Sequence, residues 1–122
     1  MNDSAQLVST ILKVRCPRKV RRALEMLLAS PTEPVKLAEL AKSVPCSKFH
    51  LCRLFARYFS CSPVRLHRTV RLERAEALVR SGMPSSNVAA DLGFADQAHF
   101  TRLFKRTYGK TPGRYARATS AA

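Results

Sequence analysis

The stretch HLCRLFARYFSCSP, residues 50–63, is followed further along the chain by HFTRLFKRTYGKTP, residues 99–112. The two stretches share the frame His-x-x-Arg-Leu-Phe-x-Arg and end in Pro63 and Pro112, at a constant offset of 49 residues. A chain of 122 residues therefore contains the same motif twice. This internal repeat predicts two structural units of the same kind, each built around one copy.

Each copy of the motif has the apolar spacing of an amphipathic helix. The apolar stripe consists of Leu51, Leu54, Phe55 and Tyr58 in the first copy, and of Phe100, Leu103 and Phe104 in the second. The Leu-Phe pair of each copy is thus expected in the core, and the Arg that precedes it is expected on the opposite face. Ser47 and Asp96 stand just before the two helices, where a short polar side chain caps a helix N-terminus.

The segments around the two copies contain further helical patterns and none with the alternation of a β-strand. Helices are predicted at 18–29, 37–44, 87–92 and 112–117, and a longer helix begins at Pro63. The predicted fold class is all-α, with two helix-turn-helix subdomains joined by a long linker helix. The predicted organisation is a flexible N-terminal segment at 1–17, a first subdomain at 18–62, a linker helix at 63–82, a second subdomain at 83–117 and a flexible tail at 118–122.

The charge of the chain indicates its class of partner. It has 22 Lys and Arg against 8 Asp and Glu, a formal net charge of +14. Between Arg102 and Arg117 there are six basic residues and no acidic one. Such an excess favours a polyanion, either nucleic acid or an acidic membrane surface. No apolar stretch approaches the ~20 residues of a membrane span, so a soluble chain without a membrane partner is expected.

The four cysteines raise the question of a metal site or disulfides. Cys46, His50 and Cys52 are close in sequence, but structural zinc needs four ligands at suitable spacings. No C-x-x-C pair and no secretory signal is present. The sequence therefore favours reduced, mostly buried thiols in a cytoplasmic protein, with no metal and no cofactor.

The second helix of a helix-turn-helix lies in the DNA major groove, with its N-terminal part at the base edges. Arg53 and Arg102, which match in the repeat, are the first candidates for base reading because Arg binds guanine O6 and N7 in bidentate fashion. Gln97 is suited to adenine, and Phe49 or the Thr101 methyl to a thymine methyl; Cys52 is also a candidate. The candidates for phosphate contacts are Lys48, His50, Arg57, His99, Lys105 and Arg106.

The segment VAADLGFADQAHFTRLFKRTYGKTPGRYAR, residues 88–117, resembles the second helix-turn-helix of the AraC/XylS family of bacterial transcription regulators. CSKFHLCRLFARYF (46–59) and VRLERAEALVRSG (70–82) are similar to the first recognition helix and the linker helix. The resemblance covers about residues 18–117. It implies seven helices and two recognition helices that enter successive major grooves of one asymmetric site.

The resemblance also implies residue roles and partners. The base-contacting positions it assigns are Phe49, Cys52 and Arg53 in the first unit and Gln97, Ala98, Thr101 and Arg102 in the second. It further implies a cytoplasmic activator at the bacterial nucleoid that binds double-stranded DNA as a monomer and contacts RNA polymerase. The chain is then either a stand-alone regulator or the DNA-binding part of a longer protein with an effector or dimerisation domain.

The chain departs from the family pattern at five positions, two of which are Cys52 and Ala98, where the family often has polar side chains. Pro45 stands where the first turn usually has Gly, and proline cannot take the positive φ that Gly supplies. Gly93 occupies this place in the second turn, where we expect it in the left-handed conformation after the helix. Ser60 replaces a common Gly, and Ala116 stands where Arg usually follows the Tyr. We therefore expect the first turn to be built differently and the second unit to be the better reader.

Other functions are less well supported by the residues. Sequence-independent binding of nucleic acid would suit the charge alone, and it is the alternative to specific recognition. RNA modules usually display aromatic stacking platforms, whereas the aromatic residues here are placed in the core. Neither paired carboxylates nor another catalytic constellation is found, so no catalytic residue and no enzymatic activity is predicted.

Overall fold

The computed structural model describes residues 4–30 and 32–120, which form eight α-helices and no β-strand. The helices are α1 (Ser4–Leu12), α2 (Arg18–Ala29), α3 (Leu37–Ser43), α4 (Lys48–Phe59), α5 (Pro63–Arg80), α6 (Ser85–Asp91), α7 (Gln97–Tyr108) and α8 (Pro112–Ser120). The all-α prediction is confirmed. The described residues form one helix more than the seven expected, and the additional helix is α1.

The chain divides into two compact units at the middle of α5. Unit 1 extends to Val70 and unit 2 begins at Arg71. The long helix that was predicted as a linker therefore contributes its first half to one core and its second half to the other. Leu66 and Val70 belong to the core of unit 1, whereas Ala75 and Val79 belong to that of unit 2.

The core of unit 1 is formed by the apolar faces of α2, α3 and α4. Val20, Leu24, Leu51 and Phe55 are fully buried, because each lies on the stripe of its helix that faces the neighbouring helices. On α5, His67 is also buried and its Nε2 lies 2.9 Å from the Ser30 carbonyl oxygen, at the end of α2. This contact ties the first half of α5 to α2.

The N-terminal segment, for which flexibility was predicted at 1–17, is assigned to unit 1. Residues 4–12 form α1, and Ile11 is only 5% exposed within the core cluster. The Arg21 guanidinium donates to the carbonyl oxygen of Leu12 at 2.8 Å and also to that of Val14. These contacts attach the described part of the segment to unit 1, and its flexibility stays a prediction. Residues 1–3 lie outside the described residues.

The core of unit 2 is aromatic. Phe104 is fully buried, and its ring centroid lies 5.6 Å from Phe100, 4.7 Å from Tyr108 and 5.2 Å from Tyr115. Phe94 packs on Phe100 at 4.9 Å. Edge and tilted contacts at these distances stabilise beyond the burial of apolar area. Phe55, Leu103 and Phe104 therefore lie in the cores as predicted, whereas Leu54 is half-buried against the core of unit 1.

A buried polar cluster joins α5 to α7 and α8 within unit 2. Glu76 is 5% exposed, and it accepts hydrogen bonds from the Tyr115 hydroxyl at 2.6 Å and the Arg80 guanidinium at 3.0 Å. The Tyr108 hydroxyl donates to the Leu72 carbonyl oxygen at 3.3 Å. Burial, together with the charges of Glu76 and Glu73, raises the pKa of Tyr108 above its ordinary value, so that the phenol remains a donor.

The C-terminal helix is longer than expected. A helix ending near Arg117 and a flexible tail at 118–122 were predicted, but α8 continues to Ser120. The Thr119 hydroxyl donates to the Tyr115 carbonyl oxygen at 3.0 Å and bonds the last turn to the one before it. Residues 118–120 are thus helical, the flexibility of the tail stays a prediction, and residues 121–122 lie outside the described residues.

The two recognition helices end in the same backbone conformation but with different residues. Ser60 has φ 61° and Gly109 has φ 82°, both in the left-handed region. An L-residue there costs about 1–2 kcal/mol that Gly avoids. A Cβ at Gly109 would meet no atom within 4 Å, so only the backbone term applies.

Exchanging the two residues gives a matched test of this strain. Ser60→Gly is expected to raise the free energy of unfolding of unit 1 by about 0.5–1 kcal/mol, and Gly109→Ser to lower that of unit 2 by about 1 kcal/mol. Urea denaturation of each variant measures both changes. A neutral Gly109→Ser variant would show that the left-handed conformation is not required there.

Candidate nucleic-acid interface

Each unit contains a helix-turn-helix whose second helix is capped as predicted. In unit 1, α3 is followed by α4, and the Ser47 hydroxyl accepts from the His50 backbone N–H at 3.0 Å. In unit 2, α6 is followed by α7, and the Asp96 carboxylate accepts from the His99 backbone N–H at 2.7 Å. Each cap satisfies a backbone donor that the helix leaves unpaired.

The second turn has the hydrogen bonds of a Schellman motif. Gly93 has φ 74°, its N–H donates to Ala90 at 3.3 Å, and the Phe94 N–H donates to Ala89 at 3.0 Å. This arrangement needs a residue in the left-handed conformation after the helix, and glycine adopts it without a steric penalty. The predicted role of Gly93 is confirmed.

The first turn is built differently from the second, as we expected from Pro45. Pro45 has no N–H, so the bond corresponding to that of Gly93 cannot form. The following residue, Cys46, still donates its N–H to the Ala41 carbonyl oxygen at 3.1 Å. This turn is also one residue shorter, since Ser43 and Lys48 bound it where Asp91 and Gln97 bound the second. One of the two closing hydrogen bonds is therefore enough to return the chain to a capped helix.

The outer face of α4 carries the candidate residues of unit 1. Phe49 is 68% exposed, with the Lys48 ammonium 5.6 Å from the ring centroid, and Arg53 and Arg57 are exposed. Phe49, Arg53 and Arg57 are four residues apart and so share one face of the helix. Cys52 is half-buried beside them, and His50 is exposed.

The outer face of α7 repeats this arrangement in unit 2. Its exposed candidates are Gln97, Ala98, Arg102, Lys105 and Arg106, and Thr101 is half-buried. Ala98, Arg102 and Arg106 are again four residues apart. Arg53 and Arg102 thus occupy the same place, in the second turn of a capped helix and directly before a Leu-Phe pair.

The two matched histidines differ in their surroundings. His99 is half-buried, and its ring centroid lies 6.4 Å from Phe94 in an edge-to-face contact. Its Nδ1 is buried and has no hydrogen-bond partner among the described residues. His50 is exposed instead. The His99 ring therefore packs against the second turn, whereas both histidines were predicted from the sequence as candidates for phosphate contacts.

Arg71 supports the second turn, which the sequence did not indicate. Its guanidinium carbon lies 5.3 Å from the ring centroid of Phe94, and the side chain is half-buried. Phe94 in turn contacts the ring of His99, whose backbone N–H donates to the Asp96 cap of α7. The cation–π contact thus connects α5 to the start of α7. The residues are far apart in sequence, and helical periodicity could not pair them.

The four cysteines differ in burial from the prediction. All four cysteines are free and half-buried, so they are less buried than predicted. Burial raises the pKa of Cys61, and the nearby Arg65 charge partly opposes this. Within residues 4–30 and 32–120, no three His, Cys, Asp or Glu side chains are grouped to hold a metal ion. None of the helices in these ranges is long and apolar enough to cross a membrane.

Comparison with known proteins places this arrangement in a family. A family model described as a helix-turn-helix domain matches residues 40–118. The regulator GbdR of Pseudomonas aeruginosa is 35% identical over 95 residues, which are 77% of this chain and 26% of the relative. The probable transcription factor PqrA of Proteus vulgaris is 34% identical over 84 residues, which are 68% of this chain and 69% of the relative.

Solved structures show the same fold. The C-terminal domain of AraT, a response regulator from Geobacillus stearothermophilus, matches with 26% identity and a TM-score of 0.78, covering 85% of this chain and 88% of that one. The DNA-binding domain of AdpA, solved in complex with a target DNA, matches with 22% identity and a TM-score of 0.78, covering 86% of this chain and 96% of that one.

Two capped helices with matched arginines on their outer faces define a protein of the helix-turn-helix DNA-binding class. The chain belongs to the AraC-type helix-turn-helix family of transcriptional regulators. It spans only about a quarter of the length of GbdR.

Proposed function

We propose that the chain binds a specific sequence of double-stranded DNA through α4 and α7, each inserted into a major groove. The observation that carries the proposal is the pair Arg53 and Arg102, exposed at equivalent places of two capped helices that contain no acidic residue. Arg at such a place can bind guanine O6 and N7 in bidentate fashion.

The remaining exposed residues divide between base edges and phosphates. Gln97 is suited to adenine, and the Phe49 ring and the Thr101 methyl are suited to a thymine methyl. Cys52 and Ala98 offer only weak or apolar contacts. The phosphate contacts are assigned to Lys48, His50, Arg57, His99, Lys105 and Arg106, with Nε2 as the donor of His99 because its Nδ1 is buried.

The biological role follows the family. The chain acts in the cytoplasm as a transcription regulator, as an activator that contacts RNA polymerase, and it binds its site as a monomer unless it is part of a longer chain. No enzymatic step is proposed. Sequence-independent binding driven by the net charge of +14 is the second candidate function, and the following experiment separates the two.

Selection from a randomised duplex library at near-physiological salt tests the proposal. Two enriched blocks about one helical turn apart are expected, because two recognition helices then read bases on one face of the duplex. A single enriched block would mean that α4 does not contact bases. We would attribute this to the short turn at Pro45, which precedes α4. Binding without enrichment would contradict the proposal and leave charge as the whole basis of binding.

Arg106→Ala separates a phosphate contact from a base contact. It is expected to weaken binding to all sequences alike and to lower the slope of log K against log salt by about one. Titrations at several salt concentrations on the selected site and on a scrambled duplex measure this. Lys42→Ala, an exposed residue of α3, is the control. A loss confined to the selected site would instead assign Arg106 to a base.

A further inference from the structure

A second basic surface lies outside both helix-turn-helix motifs, at the junction of α1 and α2. We call it the basic corner, and its five exposed residues are Lys13, Arg15, Arg18, Lys19 and Arg22. It precedes residue 40, where the family match begins, so the proposed function has not used it. Residues 4–24 contain no acidic side chain, and Glu25 follows Arg22 by three positions on the same helix.

The fold holds the basic corner in place. Arg21, on the inner side of the same helix, donates to the carbonyl oxygens of Leu12 and Val14 on either side of Lys13. Ile11 is buried in the unit 1 core just before this connection, and Val20 is fully buried just after it. The five charges are therefore presented from a segment that is bonded to the rest of unit 1, and little chain entropy remains to be lost on binding.

The exposed charges of the basic corner and its lack of an apolar face favour a nucleic-acid backbone as partner over a protein or a membrane. The apolar residues of α2 next to it, Val20, Ala23 and Leu24, are all buried. The exposed apolar side chains at the junction itself are limited to Leu12 and Pro17, which are too few for an apolar face. A protein interface needs a buried apolar or aromatic centre, and an amphipathic membrane-binding helix needs an apolar face to insert. Phosphates spaced along DNA require only exposed Lys and Arg.

The basic corner is close enough to reach DNA that is bound by α4. A compact unit of residues 1–70 has a radius of gyration of about 11 Å, so it is roughly 30 Å across. One turn of DNA is about 34–36 Å long. Since α2 packs directly on α4, the distance between the basic corner and α4 is less than about one turn of DNA.

We propose that the basic corner binds the phosphate backbone of the duplex flanking the half-site of α4, outside the sequence that the two recognition helices read. The proposal rests on the proposed function, since it takes α4 as the anchor. It deepens that function by giving the protein a footprint longer than its recognition sequence. The additional contacts carry no base preference and add affinity that depends on salt.

The test compares two duplexes that share the selected site. One ends at the site, and the other continues for about ten base pairs of arbitrary sequence on the side of α4. The wild-type chain is expected to bind the extended duplex at least about tenfold more tightly at low salt. The triple variant Arg15→Gln, Arg18→Gln, Lys19→Gln is expected to lose this gain in affinity. Its slope of log K against log salt should be lower by about two to three on the extended duplex only.

Two further variants exclude a change of net charge or of folding as the cause. Lys36→Gln, Lys42→Gln, Arg68→Gln removes three exposed charges from elsewhere in unit 1 and should keep the gain. The charge-preserving Arg15→Lys, Arg18→Lys, Lys19→Arg should keep it too. Equal losses by both glutamine variants, an equal loss on the short duplex, or no gain for the wild-type chain would overturn the proposal.

A scrambled site in both duplex lengths keeps this result apart from the proposed function. If the wild-type chain shows no preference for the selected site over the scrambled one, sequence-specific binding by α4 and α7 fails. If the preference is present but the flank adds nothing, only the role of the basic corner fails.

Discussion

Phe104→Ala is expected to lower the free energy of unfolding of unit 2 by about 3–5 kcal/mol. The ring is fully buried and contacts Phe100, Tyr108 and Tyr115, so its removal leaves a cavity and ends three aromatic contacts. The loss should be large enough to unfold unit 2 partly at 37 °C, because the stability of a small domain is itself of this order. Urea denaturation followed by NMR signals of each unit measures the effect.

The repeat supplies matched controls for this substitution. Phe55 occupies the equivalent place in unit 1 and is also fully buried, so Phe55→Ala should have the same effect on unit 1 instead. Lys105→Ala, at the exposed neighbour of Phe104, should change stability by less than about 0.5 kcal/mol. A loss below about 1 kcal/mol for Phe104→Ala would mean that the aromatic cluster is not the core of unit 2.

Arg102→Ala is expected to weaken binding at the preferred DNA site by about 1–3 kcal/mol, or roughly 5- to 160-fold. The side chain is exposed in the second turn of α7, where a bidentate pair with guanine is proposed. The preference should relax at one base pair only. Competition binding with a set of single-base variants of the selected site measures both quantities.

Arg102→Lys distinguishes a base contact from a phosphate contact at this position. Lysine keeps the charge but lacks the planar fork, so it should lose most of the affinity if Arg102 binds guanine and little if Arg102 binds a phosphate. Arg53→Ala is the matched variant in α4 and should relax preference in the other half of the site. An equal loss by Arg102→Ala on scrambled DNA would exclude base reading by this residue.

Much of the fold was predictable because it depends on residues a few positions apart. The helix at Arg18–Ala29 has the predicted bounds, and the caps at Ser47 and Asp96 and the turn at Gly93 are as expected. Helical period, capping and the left-handed glycine are local properties.

The N-terminal helix was missed although its apolar residues, Leu7, Val8, Ile11 and Leu12, have helical spacing. A helix of 9 residues is marginal on its own, and the place of α1 in the fold depends on the contacts of Arg21.

The candidate interface was predictable to a similar extent. The outward direction of Arg53 and Arg102 follows from the inward direction of the Leu-Phe pairs, since a helix has only one apolar stripe. The different surroundings of His50 and His99 did not follow, although the repeat makes the two residues equivalent. Phe94, a residue of the longer second turn, packs on His99 in unit 2.

The amino-acid sequence alone determined that this is an all-α chain with two equivalent helix-turn-helix units and a matched Arg on each outer face. The tertiary structure alone decided which polar residues of α5 are buried. His67 meets Ser30 across 37 positions and Glu76 meets Tyr115 across 39, whereas the wheel of α5 gave no sign of either. A helix shows its own periodicity in the sequence, but the partners of its faces are set only when distant segments pack together.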